Sequence, residues 1–200
     1  MSDNSDNSYI EDNKDKDKEI VILDLTTSIT LVSDCCTQKG LLDKYGEKWK
    51  LVGGTVYEQL VDEAKNPVLP KLLKLFEDKQ LAMVRSAYDK FINMIDKMGS
   101  ETEREELQKF LKKLIILESE PTKYFLNMGD AKRLVNNKKW SQENIDTFGT
   151  AVSKGYTVYT GNLSIALFLQ ERQDVLNIKC QPHRPRSFIG KRKYLKLYTL

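Results

Sequence analysis

The chain has 200 residues, of which 40% are apolar and 30% charged, enough to bury one core and too few for two large domains. Its net charge of +3 excludes a strongly basic or acidic protein as a whole. No apolar run approaches the roughly 18–20 residues of a membrane span, because Asp24 and Glu118 interrupt the two best runs.

Other classes fall away on residue counts. The amino terminus is polar and acidic, unlike a signal peptide. Three cysteines, Cys35, Cys36 and Cys180, cannot pair completely, which suits a reducing cytoplasmic or nuclear setting. One histidine, His183, makes a His-rich zinc site untenable and leaves a Ser-His-Asp triad a single candidate base, which reads as a tail residue. No Walker A loop and no G-x-G-x-x-G is present. Chemistry, if any, rests on carboxylates.

Charge divides the chain more sharply than it sums. Residues 1–20 carry a net −4 and residues 181–200 a net +6 with no acid. Residues 1–18, nearly all Asp, Asn, Ser and Lys, read as a disordered acidic leader. The domain proper is expected over 19–180, followed by a basic tail over 181–200.

Glu19 to Asp24 is a short β-branched run of the kind buried on both faces of a parallel sheet. Thr26 to Cys36 predicts a helix, and residues 40–54 an irregular linker closed by Gly53-Gly54. Val56, Leu60, Val61 and Ala64 have helical spacing, ended by Asn66-Pro67. Pro70 suits the first turn of the next helix, through Phe76. Leu81–Val84 predicts a strand. Ser86 reads as the cap of a helix with Ala87, Phe91, Ile95 and Met98 on one face. Ser100 and Glu103 form an S-x-x-E capping box, and Leu114–Leu117 reads as a strand. A helix from Ser141 to Lys154, a strand over 156–160, a helix from Leu163 to Arg172 and a strand from Val175 to Cys180 complete the alternation. The pattern predicts a three-layer, doubly wound α/β fold with a mostly parallel sheet.

Asp24 ends the first strand, at the sheet edge where ligands of open α/β folds bind. Asp is also a common helix cap. Asp89 lies one turn into the helix after the second strand, and Asp146 early in the helix before the fourth. Asn162 follows that strand in Thr160-Gly161-Asn162, a position that also suits a turn.

Val21-Ile22-Leu23-Asp24 with Thr26-Thr27, together with the late Thr160-Gly161-Asn162, resembles the frame of PIN-like nucleases. Asn66-Pro67-Val68-Leu69-Pro70 and Phe148-Gly149-Thr150 make the chain similar, over roughly residues 20–180, to an uncharacterised eukaryotic PIN-like family. The resemblance implies a PIN-like fold and a metal-dependent ribonuclease site. Asp24, Asp89 and Asp146 would hold Mg²⁺ or Mn²⁺ through oxygen, with Asn162 orienting water or phosphate.

In the basic segment, Arg184, Arg186, Lys191, Arg192, Lys193 and Lys196 interleave with Phe188, Tyr194 and Tyr198. Cations for phosphate and rings for bases point to single-stranded RNA. Two other readings stand beside an RNA-cutting domain, because Val152 and Asn162 occupy places where acids would help. One is a nucleic-acid-binding module without catalysis; the other is a protein-interaction module that keeps the fold.

Overall fold

A computed structural model describes residues 18–38, 41–42, 54–130 and 140–190. All but the last residue of the expected leader over 1–18, most of the expected linker and residues 191–200 lie outside that set. Five strands form one sheet: β1 (Glu19–Leu23), β2 (Lys79–Val84), β3 (Leu114–Leu117), β4 (Thr157–Thr160) and β5 (Lys179–Pro182). Their order is β3-β2-β1-β4-β5, and every pairing is parallel, so the expected mostly parallel sheet is wholly parallel. Chain order runs outward from β1 in one direction and then jumps to β4 on its other side. The ends of β1 and β4 therefore flank the crevice where the order reverses.

Alternation along the strands separates two cores. Val21, Leu23, Leu81, Met83 and Tyr159 face one layer, where they pack with α1 (Leu25–Val32), α4 (Leu69–Phe76), α5 (Arg85–Met98) and α6 (Glu101–Leu111). Ile22, Ala82, Val84 and Val158 face the other, formed by α7 (Lys123–Asp130), α8 (Gln142–Lys154), α9 (Leu163–Gln170) and α10 (Gln173–Leu176). Each fully buried Phe in these layers, Phe91, Phe125 and Phe148 among them, contributes about 1.5–3 kcal/mol of transfer free energy. A smaller cluster joins Cys35 of α2 (Asp34–Thr37) to Val56 and Leu60 of α3 (Gly54–Lys65).

Several sequence signals act as the spacing indicated. Both arms of the capping box are made: Ser100 Oγ accepts from Glu103 N, and Glu103 Oε2 accepts from Ser100 N. Gly155 stops α8 at φ 69°, a conformation that suits glycine. Gly149 sits where a Cβ would lie 2.5 Å from Pro121 Cβ, so α8 and the chain before α7 approach too closely for any side chain.

Three local expectations change. The helix expected over 26–36 breaks at Ser33, which leaves α1 extended and caps α2 by accepting from Cys35 N. Helix α5 starts at Arg85 after an uncapped Val84, and Ser86 Oγ is buried without a partner instead of capping. The last strand shifts downstream: Val175 and Leu176 close α10, Asn177 turns the chain at φ 47°, and pairing begins at Lys179.

The expected boundary at residue 180 falls inside the fold. β5 continues to Pro182, His183 N donates to Thr160 O, and residues 184–190 then run along α1 to the start of α6. Arg186, Phe188 and Ile189 are buried there, with Phe188 stacked on Phe91 at 6.4 Å. No helix among the described residues is long and apolar enough to cross a membrane.

Candidate functional site

Asp24 follows β1 directly and caps α1, accepting from Thr27 N at 2.7 Å. It is 1% exposed. An ionised carboxylate so placed costs several kcal/mol unless hydrogen bonds replace its water. Three threonine hydroxyls stand within hydrogen-bond reach of it. Thr26 Oγ1 lies 2.8 and 2.7 Å from the two carboxylate oxygens, Thr27 Oγ1 lies 2.8 Å from Oδ1, and Thr160 Oγ1 donates to Oδ2 at 2.6 Å. Thr26 and Thr27 come from the first turn of α1, and Thr160 from the end of β4 across the crevice. The same hydroxyls accept in turn: Gly161 N donates to Thr26 Oγ1 and Asn162 N to Thr160 Oγ1. A Cβ at Gly161 would lie 3.0 Å from Thr26 Oγ1 and 3.1 Å from Pro185, so any side chain there would require these neighbours to give by a few tenths of an ångström.

His183, expected as a tail residue, belongs to the centre. Its Nε2 is 2.8 Å from Thr27 Oγ1, and its Nδ1 is 2.9 Å from Arg184 O. A carbonyl can only accept, so Nδ1 carries a proton and Nε2 of the neutral ring is an acceptor; the single hydroxyl proton of Thr27 is shared among His183 Nε2, Asp24 Oδ1 and Tyr159 O, the last at 2.7 Å. Burial depresses the imidazole pKa below its ordinary value, reinforced by Arg186 and opposed by the Arg184 carbonyl and Asp24. Cys180, one strand position from the crevice, is pushed up to about 12 by burial and the Asp24 charge.

The remaining expected site residues lie elsewhere or are otherwise engaged. Asp89 is exposed on α5, and its neighbour Lys90 bridges to Glu143 of α8. Asp146 is buried on α8, where it accepts from Gln142 Nε2 at 2.9 Å. Asn162 is the N-cap of α9, its Oδ1 accepting from Ser164 Oγ and Ile165 N, so the turn role prevails over one of orienting water. Among the described residues no three His, Cys, Asp or Glu side chains gather so as to hold a metal ion. Each Asp24 oxygen already has two or more donor groups within 2.8 Å, leaving little room for Mg²⁺ or Mn²⁺, which need oxygen ligands in number. The expected metal set of Asp24, Asp89 and Asp146 does not fit these ions.

The cations divide likewise. Arg186, expected to meet nucleic acid, is 4% exposed and held by Glu63 at 2.8 Å and Asp62 at 2.9 Å. Its guanidinium also donates to Pro185 O. It is a structural ion-pair centre that fastens the segment after β5 to α3. Arg184 is exposed and pairs with Asp62 from the surface side. Lys191, Arg192, Lys193 and Lys196 lie outside the described residues. Glu103 anchors the far end of the segment: fully buried, it accepts from the backbone N–H groups of Asp34, Ile189 and Gly190 as well as Ser100.

Sequence reading missed Thr160, His183 and Glu63. The signal within reach was the pair Pro182 and Pro185 around His183, which stiffens an extended run and argues against a loose tail. A family model described as "Protein of unknown function (DUF1308)" matches residues 21–193. No solved structure matches the chain.

Proposed function

We propose that this chain, which belongs to the DUF1308 family of proteins of unknown function, is a PIN-like domain that binds single-stranded RNA without cutting it at Asp24. The parallel order β3-β2-β1-β4-β5, with an acid at the end of the central strand, supports the PIN-like reading. The observation that carries the absence of cleavage is the filled carboxylate. Asp24 spends its oxygens on Thr26, Thr27 and Thr160 and ties β1 to β4. The six cations and no acids of residues 181–200 support a phosphate-bearing partner, with Arg184 exposed and Arg186 withdrawn into the fold. Gly190, directly before Lys191 in the sequence, donates its N–H to the buried Glu103.

The test uses the full chain, a labelled single-stranded RNA and millimolar Mn²⁺. Binding is expected to weaken steeply as salt rises, since phosphate contacts release counterions. Wild type and Asp24→Asn are expected to leave the RNA equally intact. Cleavage by wild type that disappears in Asp24→Asn would overturn the reading, and no RNA binding even at low salt would remove its partner. A protein-interaction role is the second reading, favoured by Leu163, Leu167 and Val175, which stand exposed on α9 and α10.

A further inference from the structure

A cleft of 330 Å³ lies between α4 and the end of β5, lined in part by His183 of the Asp24 centre. That volume is at the lower end for small-molecule sites. Val68 and Leu72 form its buried apolar floor, and Leu75, 51% exposed, leaves apolar area uncovered inside a concavity. The amides of Asn66 and Gln181 offer donors and acceptors, while Lys71 and Arg184 supply positive charge. Among the described residues no carboxylate lines the cleft. Lys71 has no ion-pair partner among the described residues, whereas Arg184 keeps one contact to Asp62 and retains further guanidinium donors. One wall is rigid: His183 is held at both ring nitrogens, by Thr27 and by the Arg184 carbonyl. Walls fixed before binding lose little freedom when a ligand arrives.

Apolar surface, amide edges, the ammonium of Lys71 and the remaining guanidinium donors of Arg184 together match a flat heterocycle that carries a phosphate. We propose that this cleft receives one nucleotide of the RNA, its base against Leu75, and its phosphate on Lys71 and Arg184. The proposal rests on the RNA-binding reading for the polymer, while free nucleotides test the cleft by itself. A base seated here is bound by the wall that His183 forms, not by the Asp24 carboxylate, which stays buried behind Thr27.

The experiment titrates the full chain with the four 5′-ribonucleoside monophosphates, with adenosine and with inorganic phosphate, read by calorimetry. At least one nucleotide is expected to saturate, with adenosine and phosphate each about tenfold weaker or worse, because each lacks half of the contacts. Lys71→Glu and Leu75→Asp, both at exposed side chains, are each expected to weaken the nucleotide about tenfold with an unchanged unfolding midpoint. Failure of every nucleotide to bind, or binding indifferent to both substitutions, overturns the cleft. RNA binding that survives both substitutions overturns it too and leaves the RNA reading standing. Saturable nucleotide binding with no RNA binding at low salt supports the cleft and overturns the RNA reading.

Discussion

A carboxylate is kept in the middle of this protein by hydroxyl groups. Each threonine around Asp24 removes part of the desolvation cost, and losing one leaves a buried oxygen short of a donor, which typically costs about 1–3 kcal/mol. Thr160→Val, close in shape, is therefore expected to lower unfolding free energy by about that amount in urea titration, since Thr160 alone donates to Oδ2 from β4. Thr160→Ser, which keeps the hydroxyl, is expected to restore most of it. His183 makes the same region sensitive to pH. Its folded pKa lies below the ordinary value near 6.5, so the unfolded chain takes up the proton first as pH falls. Stability is thus complete above about pH 7 and declines through the mildly acidic range. In His183→Gln this part of the slope is expected to vanish, as equilibrium unfolding at about pH 7.5 and pH 5.5 would reveal. How Asp24 would be treated was only half legible in the sequence. Its place at a strand end followed from the apolar run before it, and Thr26 and Thr27 sat within one turn. Thr160 is 136 residues away, and only the sheet order brings its hydroxyl to the carboxylate.

Among the elements, the segment after β5 departs most from what its composition suggests. Six cations without an acid read as a tail, yet residues 183–190 thread between α1, α3 and α6 because two buried acids receive them. Charge counted along the chain does not distinguish an arginine for solvent from one for Glu63, a partner 123 residues distant. Arg186→Ala would strand Glu63, which is 8% exposed, and breaking such buried pairs costs about 3–5 kcal/mol. Arg184→Ala, at the exposed partner of the same Asp62, is expected to cost under about 1 kcal/mol. Urea unfolding of the two variants side by side tests that asymmetry. At the other end, Glu103→Ala removes an acceptor from four backbone N–H groups, and hydrogen exchange is expected to quicken at Ile189 and Gly190 first. Half of that motif was visible, since S-x-x-E announces a capping box. Its second use, receiving the chain after β5, depends on a contact no local spacing encodes.

At the scale of the molecule, helix and strand periodicities sufficed for the layered α/β architecture, because each element's apolar pattern is set by which layer it faces. The site did not follow from architecture. A sheet of this kind offers its carboxyl edge to a ligand, but whether that edge holds an ion depends on how many acids converge and what already occupies their oxygens. Here Asp89 is exposed on α5, Asp146 is buried on α8 against Gln142, and Asp24 closes a hydrogen-bonded joint between β1 and β4. That joint is the central claim, and the stability of Asp24→Asn in EDTA measures it most directly. A joint formed by Asp24 requires the variant to lose about 1–3 kcal/mol relative to wild type, since an amide nitrogen would face threonine hydroxyls arranged to donate. An acid held in place for catalysis behaves in the opposite way, because removing a strained functional charge commonly stabilises a fold. An Asp24→Asn protein as stable as wild type, or more so, would contradict the account.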